Sequence, residues 1–243
     1  MKYKRFYFEK ESLKDNLIVF SGEEFLHAFV VLRLKVGDEM CLFCGDGKDY
    51  ICQVDKIEKK QAILKVLFVN ENDCEPTCNL TIYQALVKGE KLNLIAQKLT
   101  ELGVMEFKTF YSNFCDVKPN TTKLEKLNSI VISACKQCGR SKLMKIYPKV
   151  LTVNEVASEL ANFEKVYVAY ENEKENNFVE SLIEAKNKGI KNIAIIVGAE
   201  GGFSEEEIRA FEKQNAEIVT LGKLILRAET CSILASGLAM QIL

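Results

Sequence analysis

The rhythm of apolar and polar positions changes near residue 75. Before it, short runs alternate with a period of two. Residues 38–43 and 50–57 are such runs, and the Gly-containing turn at 44–49 between them makes a hairpin signal. Residues 62–70 (AILKVLFVN) read as a further strand, and 23–32 as a short helix with Ser21 or Gly22 ahead of it. The polar stretch 71–76 (ENDCEP) ends in proline and fits a linker. The pattern predicts a small β-barrel-like domain over residues 1–72 and a larger domain over 73–243.

Beyond the linker, strand and helix patterns alternate. Residues 80–86 read as a strand, and Leu92, Ile95, Ala96, Leu99 and Leu102 share one face of a helix that stops at Gly103. Residues 104–111 are the next strand. Thr122 and Glu125 have capping-box spacing ahead of a helix with Leu124, Leu127, Val131, Ala134, Cys135 and Cys138 inward, closed by Gly139. Strands follow at 166–169, 192–197 and 217–221, and helices at 178–188, 204–213 and 230–243. The run 192–197 (NIAIIV) is continuously apolar, as in a parallel strand covered on both faces. This alternation predicts an α/β domain with a largely parallel sheet. In the last helix Ile233, Leu234, Leu238, Ala239 and Ile242 form an apolar set, with Ser232, Ala235, Ser236 and Gly237 beside it. A helix apolar nearly all round is buried in a core or a subunit interface, so a homodimer through it is expected.

Composition narrows the classes. At 243 residues, 48% hydrophobic and 28% charged, the chain is too apolar for disorder. It has no run of some eighteen apolar residues that would span a membrane, and its first ten residues alternate charged and aromatic types, unlike a signal peptide. The expected compartment is the cytoplasm. Nine cysteines, an odd number, argue against a disulfide framework. The C-x-x-C pairs Cys41/Cys44 and Cys135/Cys138 fall on unlike elements and one histidine is present, so small buried side chains are expected there rather than a metal. Total charge is balanced, 33 basic against 34 acidic, but residues 76–150 carry 12 basic and 5 acidic groups. A basic middle hints at a polyanion partner; the same lysines serve equally to solvate helix faces. The five arginines are Arg5, Arg33, Arg140, Arg209 and Arg227, each a planar fork in a chain that otherwise uses lysine.

Two loops stand out. Residues 198–204 (GAEGGFS) lie between a buried strand and a helix, where open α/β sheets place ligands. Neither G-x-G-x-x-G nor G-x-x-x-x-G-K-[ST] is present, and Glu200 with Glu205, Glu206 and Glu207 would repel an anion there. A nucleoside without phosphates and bearing positive charge fits better, and S-adenosyl-L-methionine is such a ligand. A plain strand-to-helix turn accounts for the glycines equally well. Residues 221–230 (LGKLILRAET) form the second loop, where Gly222 breaks a strand and Thr230 can cap the last helix, with Glu229 at its positive end. Capping leaves Arg227 unexplained; an Arg227–Glu229 ion pair and a role in a reaction are both open.

The strings VGAEGGFS and LGKLILRAET resemble the paired signatures of RsmE-type ribosomal RNA methyltransferases of the SPOUT class. The family reads GPEGG where Ala199 stands here, and LG-x-x-ILR-x-ET, matched by Leu221, Gly222, Ile225, Leu226, Arg227, Glu229 and Thr230. KLTELGV (98–104) and CKQCGR (135–140) resemble two further family segments, with Lys136 replacing an acidic residue. Arg5, His27 and the string Val31, Leu32, Arg33 match its N-terminal pattern, so the resemblance runs from Arg5 to Thr230. Phe114 departs from it, standing where the family commonly carries arginine.

The resemblance implies an α/β SPOUT domain with a C-terminal trefoil knot, an N-terminal PUA-like β-barrel, a homodimer, and methylation of uracil N3 in 16S ribosomal RNA, free or in the assembled small subunit. S-adenosyl-L-methionine would be held by Val197, Gly198, Glu200, Gly201, Gly202, Leu221, Gly222, Ile225, Leu226 and Thr230. Arg227 would stabilise charge on the uracil, and Glu229 would orient Arg227 or accept the proton. Arg5, His27, Arg33, Lys88, Lys91, Arg140 and Lys142 would meet RNA, although His27 alone reads more readily as a packed side chain. No metal or membrane partner is expected. A SPOUT enzyme acting on transfer RNA, a non-catalytic RNA-binding assembly factor and a nucleotide-dependent oxidoreductase or kinase stand as alternatives, the last weakened by the missing phosphate motifs.

Overall fold

In the computed structural model, which describes residues 3–118 and 121–243 but only the backbone of 121–123, the period-two runs of the first 75 residues are strands. The chain divides into two units: Met1–Glu75 with Ile132–Leu143, and Pro76–Val131 with Met144–Leu243. The first contains β1 (Arg5–Tyr7), β2 (Leu13–Lys14), β3 (Leu17–Ser21), a helical turn α1 (Gly22–Phe25), β4 (Glu39–Phe43), β5 (Lys48–Ile57) and β6 (Gln61–Glu71). The strands lie in the order β1-β4-β5-β6-β3-β2, antiparallel except for the β1–β4 pair. Phe6, Ile18, Phe20, Met40, Leu42, Cys52 and Leu64 are fully or almost fully buried in its core. The helix read over 23–32 is present, but α1 passes into a π-helical stretch, Leu26–Val31. The wider winding leaves Leu26, Val30 and Val31 exposed.

Two buried arginines hold the returning segment Ile132–Leu143 in this unit. The Arg140 side chain, 4% exposed, gives Glu75 two bonds, Nη2 to Oε2 at 3.0 Å and Nε to Oε1 at 3.3 Å. Arg5 pairs with Asp49 at 3.0 Å and donates to Ser141 Oγ at 2.7 Å and to the Arg140 carbonyl at 3.1 Å. The expectation that Arg5 and Arg140 meet RNA is therefore corrected. Each guanidinium is taken up by a carboxylate inside the unit, where its fork geometry matches the partner.

The second unit contains β7 (Asn79–Ala85), α2 (Lys91–Glu101), β8 (Glu106–Tyr111), α3 (Thr121–Cys138, whose last turns belong to the first unit), β9 (Lys145–Thr152), α4 (Val153–Glu159), β10 (Lys165–Ala169), α5 (Phe178–Asn187), β11 (Asn192–Val197), α6 (Glu205–Glu212), β12 (Glu217–Val219) and α7 (Ala228–Ile242). The Thr122 side chain, read as part of a capping box, lies outside the described residues. All six strands are parallel, in the order β12-β10-β11-β7-β8-β9. Strand β11 lies between β10 and β7 with Ile193, Ala194, Ile195 and Ile196 fully buried, as its unbroken apolar run requires.

Neighbouring residues of a strand face opposite ways, and β7 shows both layers of helices. The Tyr83 hydroxyl donates to Glu159 of α4 at 2.6 Å. Gln84, next to it, accepts from Ser232 of α7. Helices α4 and α6 pack on the first face, and α2 and α5 flank α7 on the other. Helix α7 turns its small residues inward. Its buried residues are the small ones, Ala228, Ser232, Ala235, Ser236 and Ala239, while Ile233, Leu238 and Ile242 are half-buried and Leu234 is exposed. Small side chains let a helix approach its neighbours closely, which turns the bulky ones outward.

Glu75→Ala takes the paired carboxylate from a buried guanidinium. It should lower the unfolding free energy by about 3–5 kcal/mol in urea titrations, whereas Glu58→Ala, at the exposed Lys56 pair, should leave it nearly unchanged.

Candidate functional site

Strands β12, β10 and β11 are parallel neighbours, so they end along one edge, at Val219, Ala169 and Val197. The segments leaving them, 220–227, 170–177 and 198–204, wall a cleft of about 450 Å³. That volume suits a small organic ligand, and the carboxyl ends of parallel strands are where such sheets bind one.

The 198–204 loop turns tightly. The Gly202 N–H donates to the Ala199 carbonyl at 3.0 Å, with Gly202 at φ +72°; a Cβ there would also run into the Glu171 carboxylate. Gln84, with no exposed surface, donates to the Gly198 carbonyl at 3.0 Å while its own oxygen accepts from Ser232. Ser204 then caps α6: its hydroxyl accepts the Glu207 N–H, and Glu207 accepts the Ser204 N–H at 2.9 Å. The helix start is closed by its own capping box and followed by Glu205 and Glu206, which leaves nothing there to hold a phosphate.

The second loop is held at its base. Thr220 donates to Asn176 O at 2.9 Å and accepts from the Phe178 N–H at 3.1 Å, and its side chain spans to Gly222, at φ +122°. From Lys223 to Arg227 the main-chain N–H groups meet no protein acceptor among the described residues, which leaves them to a ligand or to water. Leu224 and Ile225, both 82% exposed, and Leu226 give the cleft an apolar side.

Lys91, read as an RNA contact, instead lines the cleft. Its Nζ lies 2.7 Å from Glu200 Oε1 in the first loop and 3.6 Å from Glu229 Oε2 at the start of α7. Burial pushes the Glu200 carboxyl up, but the Lys91 ammonium and the Lys88 N–H together outweigh it and hold the group below its ordinary value. The bond to Glu200 raises Lys91 in turn. Glu229 Oε2 is buried with no hydrogen-bond partner among the described residues. The Arg227 guanidinium makes no hydrogen bond or ion pair among them, so the Arg227–Glu229 pair that the sequence left open is not formed. Thr230 is not the cap of α7: Arg227 occupies that position, in extended conformation and without a side-chain bond. Burial raises the Cys231 thiol, which also lines the cleft, to about 12; it stays protonated and is no nucleophile at neutral pH.

Of the residues read for the cofactor, Val197, Gly198, Glu200, Gly202, Leu221, Gly222, Ile225 and Leu226 come together in this cleft. Gly201 and Thr230 are not part of its lining. Tyr170, Glu171 and Lys174 line it and were missed, because they follow β10 in a stretch without a motif; their one signal was a place after a strand of the parallel sheet. Lys88 is exposed and pairs with Asp116 at 2.6 Å; Arg33 and Lys142 are exposed, and His27 is half-buried edge-on to Phe6 at 5.7 Å. Among the described residues no three His, Cys, Asp or Glu side chains converge as a metal site, and no helix is long and apolar enough to cross a membrane.

Residues 74–240 match the model of the RNA methyltransferase domain, and residues 20–67 that of the RNA methyltransferase PUA domain. The chain is 30% identical over 239 residues to the ribosomal RNA small subunit methyltransferase E of Rickettsia conorii, covering 97% of this chain and 94% of that protein. It belongs to the ribosomal RNA small subunit methyltransferase E family. The Bacillus subtilis member is 29% identical, with 88% of this chain and 86% of that protein covered. The crystal structure of the Neisseria gonorrhoeae member, bound to S-adenosyl methionine, matches with a TM-score of 0.84 at 27% identity over 98% of this chain and 97% of that one.

In this family member Lys91→Met leaves two carboxylates without their cation. The variant should lose about 1–3 kcal/mol of stability at neutral pH. A depressed carboxyl stabilises fully above its ordinary value, 4.5, and ceases to as pH falls through the lowered one. The gap between wild type and variant in urea unfolding should therefore close as pH drops below 4.5.

Proposed function

We propose that this chain transfers a methyl group from S-adenosyl-L-methionine to N3 of a uridine in the 16S RNA of the small ribosomal subunit. One observation carries the reading: the two glycine-bearing loops share a single cleft, with free main-chain donors and an apolar wall, and the helix start beside it is closed by its own capping box. Membership of the family and the cofactor in the Neisseria gonorrhoeae member support it. The trefoil knot and the PUA-like barrel belong to the same reading, as does a homodimer through the outward bulky residues of α7.

When bound, the cofactor supplies an electrophilic methyl group on a sulfonium. The main chain of 197–202 and 221–226 would hold its adenosine and methionine parts, and Glu171 and Glu200 suit its positive charge. Arg227 faces the cleft with its guanidinium unclaimed. As uracil N3 gives up its proton, negative charge spreads over the ring, and Arg227 stabilises it. Of the two roles read for Glu229, orienting Arg227 has no contact behind it; accepting the proton falls to Oε2, buried and unbonded. Exposed Arg33, Lys88 and Lys142 are left to meet RNA phosphates.

The deciding experiment is mass spectrometry of ribosomal RNA from a strain lacking this chain. One N3-methyluridine should be missing from 16S RNA, and a full complement rejects the reading. Arg227→Ala should lower turnover about 100-fold with the cofactor affinity unchanged in calorimetry; unchanged turnover removes Arg227 from the reaction.

A further inference from the structure

The turn after β8 is anchored far more tightly than a connecting loop requires. The Cys115 N–H donates to the Ser112 carbonyl at 3.1 Å, and the Cys115 thiol to the Leu86 carbonyl at 3.4 Å. The Asn113 N–H donates to Glu207 at 2.8 Å and its side-chain amide to Ser204 at 2.9 Å. Ser112 and Cys115 are buried, and between them Phe114 stands 50% exposed. The root of Phe114 rests on Gly201: a Cβ there would lie 2.7 Å from Phe114 Cβ and 3.1 Å from its carbonyl oxygen. Glu200 and Gly202, on either side of that glycine, line the cleft. The phenyl ring makes no ring-to-ring contact among the described residues. Lys88, exposed, pairs with Asp116, two residues along from Phe114, at 2.6 Å.

We propose that Phe114 is a stacking platform for the target base. The proposal rests on the uridine reading above. N3 lies on the edge used for base pairing, so the base must leave its helix before it reacts, and it then loses its stacking neighbours. An aromatic face replaces them with little regard to sequence. A backbone already fixed by its turn leaves only the ring's own torsions to be ordered on binding. The ring stands on Gly201 of the first cleft loop, and the exposed Lys88–Asp116 pair, of small energy, costs little to open for a phosphate of the RNA.

The test compares Phe114→Leu, which keeps an apolar contact on Gly201 but cannot stack, with Phe114→Tyr and Phe114→Trp. The substrate is small-subunit RNA from a strain lacking the enzyme. Phe114→Leu should lower kcat/KM for RNA at least about 5-fold without changing the affinity for S-adenosyl-L-methionine, and the two aromatic variants should retain activity. The chain contains no tryptophan, so the indole of Phe114→Trp is a sole reporter, and oligouridylate should quench its emission. Wild-type kcat/KM in Phe114→Leu overturns the proposal, as does emission indifferent to oligouridylate. Weakened cofactor binding in Phe114→Leu overturns it too, since the ring would then merely buttress the turn. If the wild-type protein transfers no methyl group to RNA, the uridine reading fails separately, and the quenching still decides whether the ring stacks on a base.

Discussion

A single buried amide joins the parts of the site. Gln84 has no surface to share with water, so each of its polar atoms must find a protein partner. Its nitrogen holds the carbonyl of Gly198 and its oxygen takes the hydroxyl of Ser232, which ties strand β7, the first glycine loop and the last helix at one point. The second loop ends where that helix begins. Fixing α7 against β7 therefore also fixes where Leu226 and Arg227 stand relative to Gly198. The cleft is a consequence of this bond set and of the strand order β12-β10-β11, and neither loop forms it alone.

Charge is arranged to the same end. The cleft gathers carboxylates from three segments, at Glu171, Glu200 and, just behind, Glu229. Left alone they would draw in any nearby cation, Arg227 included. Lys91, brought by the first turn of α2, takes Glu200 directly and lies within ion-pair distance of Glu229. The result is that Glu200 is taken up by Lys91 while the Arg227 guanidinium keeps no internal partner. A stabiliser of developing charge must be in that condition, because a cation already paired has less to offer in the transition state.

Much of this was legible in the residues. The parallel α/β domain followed from alternating patterns, and the unbroken run NIAIIV announced the central strand β11. The helix stops at Gly103 and Gly139 were read at the right places. What escaped did so for physical reasons. Strand β9 contains Pro148 and lies at the sheet edge, where a missing N–H is tolerated, and its exposure pattern follows no period. Strands β1 and β2 are three and two residues long, too short to show a period. Helix α7 was read as apolar nearly all round, a pattern that does not say which side faces inward; close packing selects the small residues. Lys91 was misplaced for a simpler reason: sequence shows that a lysine begins a helix, but its partners lie 109 and 138 residues away.

The arginines carry the last step. In a chain that otherwise uses lysine, each of the five offers a planar fork that lysine cannot. Arg5 and Arg140 use it structurally, filling buried sites with forked bonds to Asp49, Ser141 and Glu75 that a point charge would match poorly. Arg209 pairs along its own helix with Glu205, an exposed contact of small energy. Arg33 and Arg227 remain, exposed and without a carboxylate partner among the described residues, one in each unit. Folding explains the first three and is indifferent to the last two. A guanidinium that the fold positions but does not consume is available for a partner from outside, and for Arg227 the cleft it faces defines what that partner meets.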